Sequence, residues 1–259
     1  MSFKIAAHLC GWPKDIREDN ERILQIVRGA GYDGVEGFRA DSPEELVEVA
    51  ALAATYGLHL VNLSSGDPLD KARFNATLGN GSAEVPAGRK QGREPTDEEL
   101  DALIEPIRPV VAEFARHGLK AFHHIHINTI LETTEDCARV LERIPELWLL
   151  FDTGHLRAAD SDPMDVLARW PNRIGHVHLK NFWTQNPAAG WNRRQPEFWK
   201  TSRFCDLREG NTGLDIGAIL KGLEDVGYDG WISVEEDHPA RDIEDVVRDN
   251  RDFLRELGY

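Results

Sequence analysis

Four short apolar runs in the chain end in side chains of the kind that hold metal ions: AFHHIHIN (121 to 128), LWLLFDTGH (147 to 155), RIGHVHLK (173 to 180) and GWISVEEDH (230 to 238). In an extended segment, side chains two apart share a face. His176, His178 and Lys180 therefore point one way; so do His124 and His126 with Phe122, and Glu235 and Asp237 with Ser233. Asp152 closes its own apolar run, and His155 opens the segment after it. A set of His124, Asp152, His178 and Glu235 mixes imidazole and carboxylate, which suits Mn, Co, Mg, Fe or Zn with open positions for water or a chelating substrate. A single strand-end histidine is more often a hydrogen-bonded structural residue, so the metal reading rests on four strand ends converging.

Further residues extend the site. His126 and His155 are expected to orient a ligand or carry a proton near neutral pH, Lys180 to stabilise an enolate oxygen, and Glu235 to serve as general base as well as ligand. Glu36, His8 and Asn62 are candidates for substrate hydroxyls, with a plain salt bridge or hydrogen bond as the alternative for each. Trp191 and Arg193, among Trp183, Arg194, Phe198 and Trp199, would form an apolar wall and an anion contact, although such clusters are commonly local packing.

The elements that must position these residues alternate. FKIAAHL, DGVEGF, LHLVNLSSG, LKAFHHIH, LWLLFD, RIGHVHLK, a brief stretch near 203 to 207 and WISVEE are strand-like, with amphipathic helical segments between them. Ser42 and Glu45 have capping-box spacing, with Pro43 in the first helical turn. TDEELDALIEPIRPVVAEFARHG is expected to form one helix. Two long segments, 67 to 96 and 181 to 212, are expected as loops over the working face, following the third and sixth strands. Eight βα units imply a single parallel (β/α)8 barrel over residues 1–259, with catalytic groups at the C-terminal strand ends.

The 259 residues suit one such barrel, and 41% hydrophobic with 29% charged residues is ordinary for a chain that buries a large core. A formal charge of −15 argues against a nucleic-acid partner, which requires clustered Lys and Arg. Three widely spaced cysteines suggest reduced thiols, and no long apolar stretch suggests a membrane. The expected setting is a cytoplasmic protein with a small sugar or polyol partner, compatible with a homo-oligomer.

The runs LLFDTGHLRAADSDPMDVLARWPNRIGHVHLKNF and GNTGLDIGAILKGLEDVGYDGWISVEED resemble the xylose-isomerase-like superfamily of sugar isomerases, epimerases and related dehydratases. The resemblance runs the length of the chain and is most specific in its last 110 residues. It implies metal ligands at Asp152, His178 and Glu235. Where many relatives have a glutamate in the preceding strand, this chain has His124, and HHIHINTILET together with FCDLREGNTGLD resembles the inosose dehydratase branch. Epimerases of the superfamily use two glutamates on opposite faces of the substrate, and here one is missing. The expectation is therefore metal-assisted removal of an α-proton from a keto-sugar or keto-inositol, followed by dehydration. Isomerisation or epimerisation is the alternative. Phosphodiester cleavage, as in endonuclease IV relatives of the fold, would want a basic groove, and a non-catalytic sugar-binding barrel would not need a whole ligand set.

Overall fold

The computed structural model describes residues 3–86 and 88–259. In chain order the elements are β1 (Lys4–His8), α1 (Lys14–Arg17), α2 (Asn20–Ala30), β2 (Gly34–Glu36), α3 (Pro43–Thr55), β3 (His59–Val61), α4 (Pro68–Thr77), β4 (Ser82–Glu84), α5 (Asp97–Ile104) and α6 (Ile107–Arg116). There follow β5 (Lys120–His124), α7 (Thr134–Arg143), β6 (Trp148–Asp152), α8 (Thr153–Ala158), α9 (Pro163–Arg169), β7 (Ile174–Leu179), β8 (Asn181–Thr184), α10 (Phe198–Thr201), β9 (Ser202–Cys205), α11 (Ile216–Asp225), β10 (Trp231–Val234) and α12 (Ile243–Glu256).

Eight strands form one parallel sheet in the order β3-β2-β1-β10-β7-β6-β5-β4. The expected (β/α)8 architecture is thus present, but its strands are allotted differently. The segment 67 to 96 is not a loop: it contains α4 and the fourth barrel strand β4, and only its second part covers the mouth. The stretch near 203 to 207 is extended only as far as Cys205, where it is β9, paired antiparallel with β8 as a ribbon outside the barrel. The strands carrying His124, Asp152 and His178 are therefore the fifth, sixth and seventh of the barrel. The single helix expected before β5 is broken into α5 and α6 at Pro106, which has no N–H to donate and crowds the preceding turn.

Local chemistry explains most helix starts. Ser42 Oγ accepts from Glu45 N as its spacing predicted, but the Glu45 carboxylate caps Asp41 N instead of Ser42 N. Complete capping boxes occur at Thr96–Glu99 and Thr133–Asp136. The outer faces of the strands and the inner faces of the helices bury one continuous apolar core, in which Ile5, Val35, Leu60, Ala83, Ala121, Leu149, Phe151, Val177 and Ile232 come from the sheet. No helix among the described residues is long and apolar enough to cross a membrane.

β3 and β4 form no backbone ladder among the described residues, and asparagine side chains join them instead. Glu84 N donates to Asn62 Oδ1 at 3.0 Å, and Asn80 Nδ2 donates to Leu60 O at 3.1 Å. Asn80 Oδ1 lies 2.8 Å from His59 Nε2. Asn62 adopts φ 46°, a left-handed conformation that asparagine tolerates better than most residues. Each barrel strand ends on, or is followed at once by, a polar residue: His8, Glu36, Asn62, Glu84, His124, Asp152, Lys180 and Glu235. The sheet delivers all eight to one mouth.

Candidate active site

Asp152 anchors the site from two sides. As the N-cap of α8 it accepts from His155 N through Oδ1 at 2.7 Å, which fixes the carboxylate and turns Oδ2 toward the barrel axis. Oδ2 lies 3.1 Å from His124 Nε2, 3.7 Å from His178 Nδ1 and 3.3 Å from Lys180 Nζ. His178 Nδ1 is in turn 2.8 Å from Glu235 Oε2; both atoms are buried, the contact lacks hydrogen-bond geometry, and Oε2 is also met by the Lys180 ammonium at 3.0 Å. The carboxylates around Nδ1 favour a positive charge at this point, carried by a proton on the imidazole or by a bound cation.

Donor atoms of Asp152, His178 and Glu235 lie within 4.8 Å of one another. His124 falls in a second cluster with Asp152 and His155, so the four expected ligands are divided between two triads that share Asp152, the second completed by His155. The residues present fit a divalent ion in donor type and burial.

Beneath His178 lies Glu36, only 2% exposed. It accepts from Asn62 Nδ2 at 2.7 Å and Ser233 Oγ at 2.5 Å, is 2.8 Å from His176 Nε2, and has both oxygens 3.3 Å from His178 Nε2. This corrects the expectation that Glu36 binds substrate hydroxyls: its oxygens are already engaged below the site. Its contact with Nε2 places the His178 proton there and leaves Nδ1 facing Asp152 and Glu235, the usual division of labour in a metal-ligating imidazole. Asn62 is likewise committed, through Nδ2 to Glu36 and through Oδ1 to Glu84 N. His8 stays partly open at the mouth, 3.8 Å from Glu235 Oε1, with its Nδ1 accepting from Cys10 N.

Lys180 is wholly buried, its ammonium 3.0 Å from Glu235 Oε2, 3.0 Å from Asp237 Oδ2 and 4.7 Å from the Phe204 ring centroid. Burial alone would discharge it, but Asp152, Glu235 and Asp237 outweigh that effect and hold its pKa well above the ordinary value. The same balance operates at Glu235. Burial favours the acid form there, and Lys180, His8 and His178 override it, keeping the carboxyl well below its usual range. At His178, burial is outweighed by Glu36 and Glu235, which raise its pKa well above the ordinary value.

His126 and His155 behave oppositely. Burial lowers His126 to about 4, and burial with the nearby Lys180 charge lowers His155 well below its usual value. Their ring centroids are 3.7 Å apart, and His126 Nδ1 lies 2.7 Å from Ile127 O, so Nδ1 carries the proton and Nε2 the lone pair. The structure therefore brings His124, His126, Asp152, His155, His178, Lys180 and Glu235 together.

The aromatic wall is displaced from its expected role. Trp191 packs on Phe182 with Arg157 over its ring at 4.8 Å, and Arg193 is committed to Glu132 and to Ala159 O. Arg193 thus anchors a mouth loop and offers no free anion site. Glu132 also pairs with buried Lys90 at 3.0 Å, which holds Asp136 at 2.7 Å and Glu94 at 2.7 Å, while Arg194 pairs with Glu94. This network ties the loops after β4, β5 and β8 to one another. Trp199, 48% exposed, packs against Phe204, which touches His155. Sequence reasoning missed Glu84, on the unrecognised β4, whose Oε1 is 3.8 Å from His124 Nδ1.

Comparison with known proteins gives the family. The chain is 30% identical over 147 residues to an inosose dehydratase of Clostridium perfringens, a match covering 56% of this chain and 50% of the relative. The chain thus spans about half the length of curated relatives such as this one. A D-allulose 3-epimerase from Methylomonas sp. has the same fold, with TM-score 0.72, 17% identity and 98% of each chain covered. So does a xylose isomerase-like TIM barrel protein from Mycobacterium smegmatis, solved in complex with magnesium, with TM-score 0.72, 18% identity, and 99% of this chain and 96% of that one covered. The model of the xylose isomerase-like TIM barrel family matches residues 24–257, and the chain belongs to that family.

Proposed function

We propose that the protein is a divalent-metal-dependent lyase that removes water from a keto-inositol or keto-sugar. The observation that carries this reading is the buried pair His178 Nδ1 and Glu235 Oε2, 2.8 Å apart without hydrogen-bond geometry, with Asp152 Oδ2 beside them. Asp152, His178 and Glu235 would hold the ion, with His124 joining through its contact with Asp152. A divalent ion there supplies Lewis-acid polarisation of a ketone, which acidifies the adjacent C–H bond.

The chain's own residues supply the proton traffic. His126, neutral and with its Nε2 lone pair free, takes the α-proton. Burial holds the His126 pKa at about 4, so the imidazolium formed gives up its proton readily, and it is passed on to the departing β-hydroxyl, which leaves as water. One proton moves from carbon to oxygen and no electron acceptor is needed. Glu235 suits the ligand role better than the base role first expected of it, because Lys180, His8 and His178 stabilise its anion. Lys180 contributes a fixed positive charge beside the oxygen that gains electron density. Phe204 and Trp199, with the loops tied by Lys90, restrict water at the mouth.

Similarity to the inosose dehydratase supports elimination. An isomerase or epimerase shares the first proton removal and is the alternative. Incubating the metal-loaded protein with a panel of keto-inositols and keto-sugars separates them. A new conjugated-enone absorbance together with α-proton exchange by NMR is expected; exchange alone would mean isomerase or epimerase, and neither signal on any member would refute the reading.

A further inference from the structure

Glu84 differs from every other carboxylate at the barrel mouth. Ala83 is fully buried toward the helices, so alternation turns Glu84 inward, and its N–H bond to Asn62 Oδ1 fixes its backbone. β4 is the fourth strand around the barrel and β10 the eighth, which sets Glu84 across the mouth from Glu235. Side-chain exposure is 30% for Glu84, against 2% for Glu36, 0% for Asp152, 4% for Glu235 and 14% for Asp237.

Its oxygens are also the least engaged. Lys71 Nζ lies 3.6 Å from Oε2 and His124 Nδ1 lies 3.8 Å from Oε1, both beyond hydrogen-bonding distance. Glu84 joins no cluster of three metal donors among the described residues. Burial opposes its ionised form, but Lys71 and His124 outweigh that and keep its pKa below the ordinary value. Lys71 reaches the same spot from the first turns of α4, with 12% exposure.

A carboxylate and an ammonium 3.6 Å apart, joined as an ion pair too long for a hydrogen bond and with the carboxylate 30% exposed, match two neighbouring hydroxyls on a ring. One hydroxyl donates to the carboxylate while the next accepts from the ammonium. We propose that Glu84 and Lys71 form a diol-binding subsite that grips the polyol on the side away from Glu235 and so selects which ring hydroxyl pattern is turned over. This rests on the keto-polyol reading above.

The test uses the metal-loaded full chain with inosose and its monodeoxy derivatives, and the variants Glu84→Ala, Glu84→Gln and Lys71→Met. Metal content and thermal unfolding of each variant are measured first, and Glu84→Gln with Lys71→Met carry the test if the alanine variant does not fold. Loss of a charged hydrogen bond to substrate predicts a KM raised about 10- to 100-fold with kcat changed less than about threefold. One monodeoxy derivative should be impaired in wild type and no further impaired in the Glu84 variant. An unchanged KM in variants that retain metal, a fall in kcat without a rise in KM, or additive losses for every monodeoxy derivative would overturn the subsite and leave the lyase reading standing. Inactive wild type on the whole panel would overturn both.

Discussion

Gly154→Ala tests whether Lys180 is held in place by shape as well as by charge. A glycine inside a helix ordinarily gives way to alanine with a gain of about 1 kcal/mol. Here a Cβ at position 154 would stand 2.3 Å from Lys180 Cγ, 2.8 Å from its Cδ and 3.2 Å from Phe204 Cδ1. Ordinary carbon contacts are about 3.5–4.0 Å, so the stem would have to shift by roughly 1 Å or more. It cannot do so by moving only its tip, because the clash is at mid-chain and the side chain is wholly buried. Overpacking of this kind costs about 1–3 kcal/mol, which turns the helical gain into a net loss of up to about 2 kcal/mol. Denaturant unfolding should show a lower midpoint at unchanged slope, and kcat/KM should fall by about 10- to 100-fold as the ammonium leaves its three carboxylates. In a Lys180→Ala background the same Gly154→Ala change should be neutral or stabilising. If alanine stabilises the wild-type protein, or the two backgrounds respond alike, the steric argument is wrong.

Other outcomes follow from the same geometry. Elemental analysis of Asp152→Ala and Glu235→Ala should show strongly reduced divalent metal, and normal occupancy in both would dismiss the proposed ligand set. His124→Glu should retain metal but lose enone formation, with α-proton exchange surviving through His126; undiminished elimination would show that position 124 does not direct the reaction. Burial works against the Glu132 anion, but Arg193 and Lys90 override it and lower its pKa to about 2. A depressed carboxyl pKa stabilises the tied loops above the ordinary carboxylate range, and that contribution disappears as pH falls from about 4.5 toward 2. Proteolysis of the 185–200 loop should accelerate over that window in wild type, whereas Glu132→Gln should already be fast above it; identical profiles would exclude the network as the fastening.

Much of the site was legible because period-two alternation in RIGHVHLK and GWISVEED decides which side chains share a face, and His178, Lys180 and Glu235 do meet. Alternation does not reveal depth. Glu36 has the same pattern as the mouth residues, but its carboxylate is taken up by Asn62, Ser233 and His176 beside His178. β4 escaped notice since SAE is equally short, lies among glycines and asparagines, and is joined on one side by amide side chains that leave no apolar pattern. The segment near 203 to 207 is extended as far as Cys205, yet a strand's partner is not written in its own residues, and β9 pairs with β8. Pro106 was the readable sign that one long helix would be two.

The asparagine junction between β3 and β4 gives the barrel a chemical clock. Asn80 precedes Gly81, whose side-chain-free amide is the least hindered nucleophile for attack on the preceding carboxamide. Each transient opening of that junction frees Asn80 for cyclisation and loss of ammonia. Water then opens the imide so formed, and the resulting carboxylate would face Leu60 O and Asn75 Oδ1, the two acceptors that its amide now serves. Donation would become repulsion, and the opening would no longer close. Ageing of the protein should therefore begin at the one junction of its sheet where, among the described residues, side-chain hydrogen bonds and not a backbone ladder complete the ring.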